Sequence, residues 1–120
     1  MPKYVDGFVI PVPKKNLKAY MRMATQAAAV WREHGALEYR ECAGDDLSPP
    51  FALPFPRGIR ARRGETIVFA WILYRSRAHR NQVNARVMKD PRIAALCNPE
   101  SLPFDGDRML YGGFKVIVAT

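Results

Sequence analysis

The sequence predicts an α+β fold of the ferredoxin-like βαββαβ type, a four-stranded antiparallel sheet with two helices on one face. Three observations predict it. The run Thr66–Tyr74 (TIVFAWILY) is uncharged, mostly β-branched or aromatic, and bounded by Gly64 and Arg75-Ser76, as a buried strand is. Hydrophobic periods and turn residues fall in the order strand, helix, strand, strand, helix, strand. The central run is also apolar on both sides. Thr66, Val68, Ala70, Ile72 and Tyr74 share one face, and Ile67, Phe69, Trp71 and Leu73 share the other, so both faces need a cover.

Lys3–Val12 is the first strand, with Tyr4, Asp6, Phe8 and Ile10 on one face and Val5, Gly7 and Val9 on the other. Pro11 and Pro13 are expected to end it, because neither can donate to a ladder. Lys14–His34 is a long helix whose apolar stripe is Leu17, Tyr20, Met21, Ala24, Ala28 and Trp31. Gly35 suits the left-handed position that closes it. Ala36–Gly44 is a second strand, polar enough to belong at a sheet edge. Asp45–Arg63 holds four prolines and is a long connection: a functional loop, an arm that clasps a partner, or a partly disordered stretch. After the central strand, Ser76 is an N-cap for a helix over Arg77–Asp90, broken by Asp90-Pro91. Ile93–Leu96 adds a turn or two, and Asn98–Asp107 is rich in turn residues. Met109–Val118 is the last strand, where Gly112-Gly113 marks a bulge or a close backbone approach.

In this fold both helices cover one side of the sheet. The uncovered side would carry a large apolar patch, and a second copy of the same sheet is the simplest cover. The expectation is a homodimer packed sheet to sheet, a dimeric α/β barrel. The chain of 120 residues reads as one domain over 1–120. No apolar run reaches the ~20 residues of a membrane span, and Met1-Pro-Lys3 leads into a strand without a secretory pattern. Cys42 and Cys97 are far apart and form no metal spacing, which reads as two reduced thiols in a cytoplasmic protein. The formal net charge of +8 permits an anionic partner without requiring one.

Four stretches, Tyr4–Leu17 (YVDGFVIPVPKKNL), Trp31–Asp46 (WREHGALEYRECAGDD), Glu65–Arg92 and Pro103–Lys115 (PFDGDRMLYGGFK), resemble the uncharacterised YbaA-like family of the dimeric α/β-barrel superfamily. The loop Pro49–Arg63 matches least. The resemblance implies the barrel dimer and no established reaction. Cofactor-free monooxygenases, haem-degrading enzymes and muconolactone-isomerase-like proteins are relatives by fold, which is analogy and assigns no residue here.

Each candidate for chemistry also has a plainer reading. Asp6, an acid inside a strand, can serve as a base if desolvated, or can simply pair with an arginine. His34 can transfer protons beside Glu38 or Glu41, or cap its helix. His79, Arg80 and Asn84 with Tyr74, Arg75, Arg77 and Arg86 outline an anion pocket at a helix N-terminus, or a solvated basic face. Trp71, Tyr39, Trp31 and Tyr111 line a cavity or fill a core. Arg57, Arg60, Arg62 and Arg63 beside Phe55 suit a nucleic acid backbone, or a solvated loop; the glycine-aromatic signature of an RNA-binding sheet is missing. Two histidines without a ligand spacing predict no metal, and no motif predicts a cofactor. The functional expectation is a small molecule bound in a sheet–helix cleft by Arg80, Asn84, Tyr74, Trp71 and Tyr39, with Asp6 and His79 as catalytic candidates. An RNA- or polyanion-binding dimer and a structural or regulatory dimer are the alternatives.

Overall fold

The computed structural model describes residues 1–120. Four strands, β1 (Tyr4–Pro13), β2 (Glu38–Ala43), β3 (Glu65–Tyr74) and β4 (Leu110–Lys115), form one antiparallel sheet in the order β2-β3-β1-β4. The helices are α1 (Leu17–Glu33), a single turn α2 (Phe55–Gly58), α3 (Arg77–Met88) and α4 (Pro91–Leu96). This is the ferredoxin-like arrangement, with the polar β2 at an edge. The charge-free run occupies β3, which pairs with β1 over its whole length, Tyr4 facing Tyr74 and Pro13 facing Glu65.

The core lies on the helix side. Tyr4, Ile72, Tyr74, Val83, Val87 and Ile93 pack around the C-terminal half of α1, and Ile10, Val12, Tyr20, Ala24 and Val68 around its N-terminal half. The buried row of α1 is Tyr20, Ala24, Ala27 and Val30, a step of three to four residues. Met21, expected in that row, is instead exposed. It lies about 100° round the helix from Tyr20, outside the stripe.

Local rules explain the ends. Gly35 closes α1 at a φ of 115°, where a Cβ would be strained. Ser76 caps α3 by accepting from His79 N–H at 3.1 Å, and Asp90 caps α4 by accepting from Arg92 N–H at 3.0 Å. β1 runs on through Pro11 to Pro13, past the expected end. β4 pairs with β1 only from Tyr4 to Val9, so on that side the missing proline donors leave no ladder bond unmade. β4 is shorter than expected and its register is unbroken across Gly112-Gly113, so there is no bulge.

The close-approach reading of the glycine pair holds. A Cβ on Gly113 would stand 2.6 Å from the Tyr4 hydroxyl and 3.0 Å from an Arg80 nitrogen. On Gly112 it would meet only the Phe114 ring, at 3.5 Å. Gly113→Ala is therefore expected to cost about 1–3 kcal/mol of stability and Gly112→Ala under about 1, as measured by denaturant unfolding. Equal costs would contradict this account of the pair.

The second sheet face is left uncovered by α1, α3 and α4. Val5, Gly7, Val9, Phe69, Trp71 and Phe114 lie there, with Phe69 43 % and Phe114 61 % exposed. The long connection folds back at its rim, where the Phe55 ring meets Phe69 edge-on at 6.3 Å between centroids. Phe51 and Leu53, in the same connection, stand almost bare.

Candidate functional site

A cavity of about 510 Å³ separates the helix side of the sheet from its roof. Strand alternation supplies the floor: Asp6, Phe8 and Ile10 from β1, Ile72 from β3, Tyr39 and Glu41 from β2. α1 contributes Tyr20, Ala24, Ala27 and Trp31, and Asn84 enters from α3. The segment before β4 closes the rim with Leu102 and Phe104. Aromatic pairs stiffen the walls: Phe8–Tyr111 at 5.0 Å, Tyr20–Phe104 at 5.6 Å and Trp31–Tyr39 at 6.0 Å between centroids.

Two acids are set into this apolar space. Asp6 is 1 % exposed. Its Oδ2 accepts from the Asn84 amide at 3.2 Å and its Oδ1 from the Tyr111 hydroxyl at 3.1 Å. Asn84 is held in one orientation, since its Oδ1 accepts from Trp31 Nε1 and from the Tyr74 hydroxyl, both at 3.1 Å. Arg80 lies behind Asp6, 3.7 Å from Oδ1, and donates to the Tyr111 hydroxyl at 3.2 Å and the Tyr4 hydroxyl at 3.3 Å. Its guanidinium carbon sits 4.9 Å over the Tyr4 ring. A buried carboxylate thus has two donors and a cation, as burial of charge requires.

Glu41 is the second acid. It accepts from the Tyr20 hydroxyl at 2.6 Å and the Tyr39 hydroxyl at 2.8 Å. Burial and the neighbouring carboxylate push both phenols far above their ordinary pKa, so they remain donors. No arginine, lysine or histidine lines the cavity. Burial raises the Glu41 carboxyl above the usual glutamate range, and the two tyrosine bonds offset this only in part. The groups around it are Tyr20 from α1, Tyr39 from β2, Cys97 following α4, and Asp6 and Tyr111 across the floor.

The consequence for stability has a definite sign. A folded-state pKa above the unfolded one means the folded chain holds the proton more tightly. The associated stability is complete below the unfolded value, about 4.3, and is lost as pH rises through the folded one. Glu41→Gln removes that loss. Its melting temperature should exceed that of the wild type at about pH 7–8, with the gap closing below about pH 4. Thermal unfolding across that range checks this, and a gap independent of pH contradicts it.

The structure gathers some of the residues singled out in the sequence and separates others. Asp6, Asn84 and Tyr39 line the cavity together, with Tyr74 and Arg80 just behind them in the same hydrogen-bond network. Trp71 does not join them. It is three residues from Tyr74 on a strand of period two, so it points to the open face. His79 is also elsewhere. Its Nδ1 accepts from Arg75 N–H at 3.0 Å, and burial with Arg75 and Arg86 nearby lowers its pKa, so the ring is a neutral brace at the start of α3. His34 meets Asp90, at 2.9 Å, rather than Glu38 or Glu41. The arginine-rich connection ties itself down: Arg62 N–H donates to Glu65 at 2.5 Å and the Arg60 carbonyl accepts from Arg108 at 3.1 Å. Tyr20 and Phe104 were not anticipated as site residues, and Glu41 was named only as a partner for His34, which it does not meet. The signal for Glu41 was its place two residues from Tyr39, on the same strand face.

A wider hollow of about 670 Å³ lies on the open face, floored by the glycine pair Gly7 and Gly112. Its walls are almost wholly apolar: the polar side-chain groups that line it are the Trp71 indole and the Tyr111 hydroxyl, and the latter is already engaged by Asp6 and Arg80.

Comparison with known proteins places the chain beside uncharacterised ones. Residues 3–106 match the family described as "Protein of unknown function (DUF1428)". The chain is 43 % identical over 116 residues to the uncharacterized protein YbaA of Escherichia coli K12, covering 97 % of each. The YbaA of Shigella flexneri matches to the same extent. Among solved structures, a dimeric ferredoxin-like protein from an uncultured marine organism superposes with a TM-score of 0.64, over the full length of both chains, at 12 % identity.

Proposed function

The chain belongs to the DUF1428 family, whose function is unknown, and on that footing we propose that it binds a small molecule in the cleft between sheet and helices. One observation carries this reading. The cleft is an aromatic-walled space of about 510 Å³ with two carboxylates on its walls, the combination of apolar bulk and few oriented polar groups that marks ligand sites. Asp6 and Asn84 orient the ligand, Tyr39 and Trp31 stack against it, and Arg80 and Tyr74 hold the first two in place.

The same reading makes the chain a homodimer through its open sheet face. Four strands spaced by about 4.8 Å, with six to ten residues rising about 3.4 Å each, give a footprint near 400–600 Å². The exposed Phe51 and Leu53, in the connection whose Phe55 meets Phe69, would extend it toward the roughly 800 Å² per partner of a standard interface. The marine structural neighbour is itself dimeric. The two cysteines are free and exposed, which fits a reducing cytoplasm.

Thermal shift against a panel of metabolites tests the cleft, because a ligand of the native state raises the melting temperature. The expected result is a class of compounds that stabilises the wild type and not Leu102→Trp, in which an indole fills the rim. Stabilisation of both proteins alike moves the site elsewhere and overturns the proposal.

A further inference from the structure

The cleft has a charge character opposite to that of the chain around it. The protein carries a formal net charge of +8, yet the only charged side chains lining the cavity are Asp6 and Glu41. The two acids differ in how they are answered. Asp6 has Arg80 at 3.7 Å. Glu41 has two phenol donors and no cation.

Their positions follow from the register. Glu41 faces Ala70, which in turn faces Phe8, while Asp6 faces Ile72. The acids therefore lie on either side of β3, two strands and two residues apart, about 12 Å between Cα atoms. Between and above them are aromatic faces: Phe8, Tyr20, Trp31, Tyr39 and Phe104. Ring faces and a lone carboxylate attract the same kind of group, a cation.

Resting on the cleft being the ligand site, we propose that its ligand is an organic cation: an ammonium group on an apolar, ring-bearing body. The ammonium lies against Glu41 and the rings of Tyr20 and Tyr39, and the body extends over Ile72 toward Asn84. Each Glu41 oxygen accepts one phenol bond and retains a lone-pair direction for a further donor. The phenols keep the carboxylate in place before the ligand arrives. An anionic ligand would meet two acids and no lining base, so the cleft rejects it. The basic charge of the protein then has no part in ligand recognition.

The test uses three probes of similar shape: 3-phenylpropylamine, 3-phenylpropanol and 3-phenylpropionate, titrated by calorimetry at about pH 7.5. The amine should bind about tenfold tighter than the alcohol, the increment of one charge-assisted hydrogen bond. The carboxylate should bind at least another tenfold more weakly. In Glu41→Gln the amine and alcohol should become equal to within about twofold. An amine no tighter than the alcohol in the wild type overturns the proposal, whether or not the variant folds. Alcohol binding with no amine preference leaves the cleft as a ligand site and removes only its cation selectivity. Binding of none of the three overturns the cation proposal. Loss of the preference in Asp6→Asn but not in Glu41→Gln overturns it as well, by moving the charge contact to the other acid.

Discussion

Replacing Trp71 with aspartate is expected to convert a dimer into a monomer. Trp71 stands on the open side of β3 beside Phe69, over the hollow left by Gly7 and Gly112. Seated against a second sheet, an aspartate there is an unpaired charge at the centre of an apolar contact. A two-fold interface contains the substitution twice. At about 2–4 kcal/mol for each copy, the dissociation constant should rise at least about 10³-fold. Sedimentation velocity over a dilution series reads this directly. The wild type should remain at twice the chain mass where the variant is single. Val5→Asp and Phe114→Asp, on the same face, should behave similarly, whereas Met21→Asp, on the exposed side of α1, should not. A wild type that is already single would remove the dimer and leave the cleft argument intact.

Arg80→Met is expected to give the largest loss of stability among the site residues. Asp6 is buried between Asn84 and Tyr111, and Arg80 is the cation beside it. Removing one partner of a buried pair leaves an unanswered charge, at about 3–5 kcal/mol. The Arg80 side chain is 17 % exposed, so solvent screens part of this and about 2–4 kcal/mol is expected. For a chain of this size that is roughly a 10 °C fall in melting temperature. Asp6→Asn combined with Arg80→Met should recover much of the loss, because the charge that needed an answer is gone. An additive double variant would contradict the coupling.

The sheet was readable because its signals are local and repeated. The charge-free run Thr66–Tyr74 has no soluble alternative to a central strand, and Gly35 and Pro91 by backbone geometry and Ser76 by its capping hydroxyl punctuate the helices locally. The α1 stripe was read one residue off at Met21, since alanines on every side of a helix blur its apolar face. Half the site was readable as well. Asp6 and Asn84 stood out as polar groups among apolar neighbours, but that they meet depends on α3 crossing β1, a contact between residues 78 apart. Trp71 was grouped with Tyr74 although an odd separation along a strand puts them on opposite faces. Because both faces of β3 are apolar, the pattern could not say which one takes the helices. Glu41 was considered only beside His34, which in the fold meets Asp90. Its burial comes from the roof laid over β2 by Tyr20, and within β2 the one sign of it is that Glu41 shares a strand face with Tyr39.

The two tryptophans make the most direct measurement possible, for one lies in the cleft and the other on the open face. In a Trp71→Phe protein, emission from Trp31 alone reports on the cleft while 3-phenylpropanol and then 3-phenylpropylamine are added. A binding cleft predicts a saturable change, half complete at about 0.1–1 mM for probes of about ten heavy atoms. The reciprocal Trp31→Phe protein should give no saturable change from Trp71. Silence from Trp31 with both probes, or a response from Trp71 in its place, contradicts the claim that this cleft is where the protein meets its ligand.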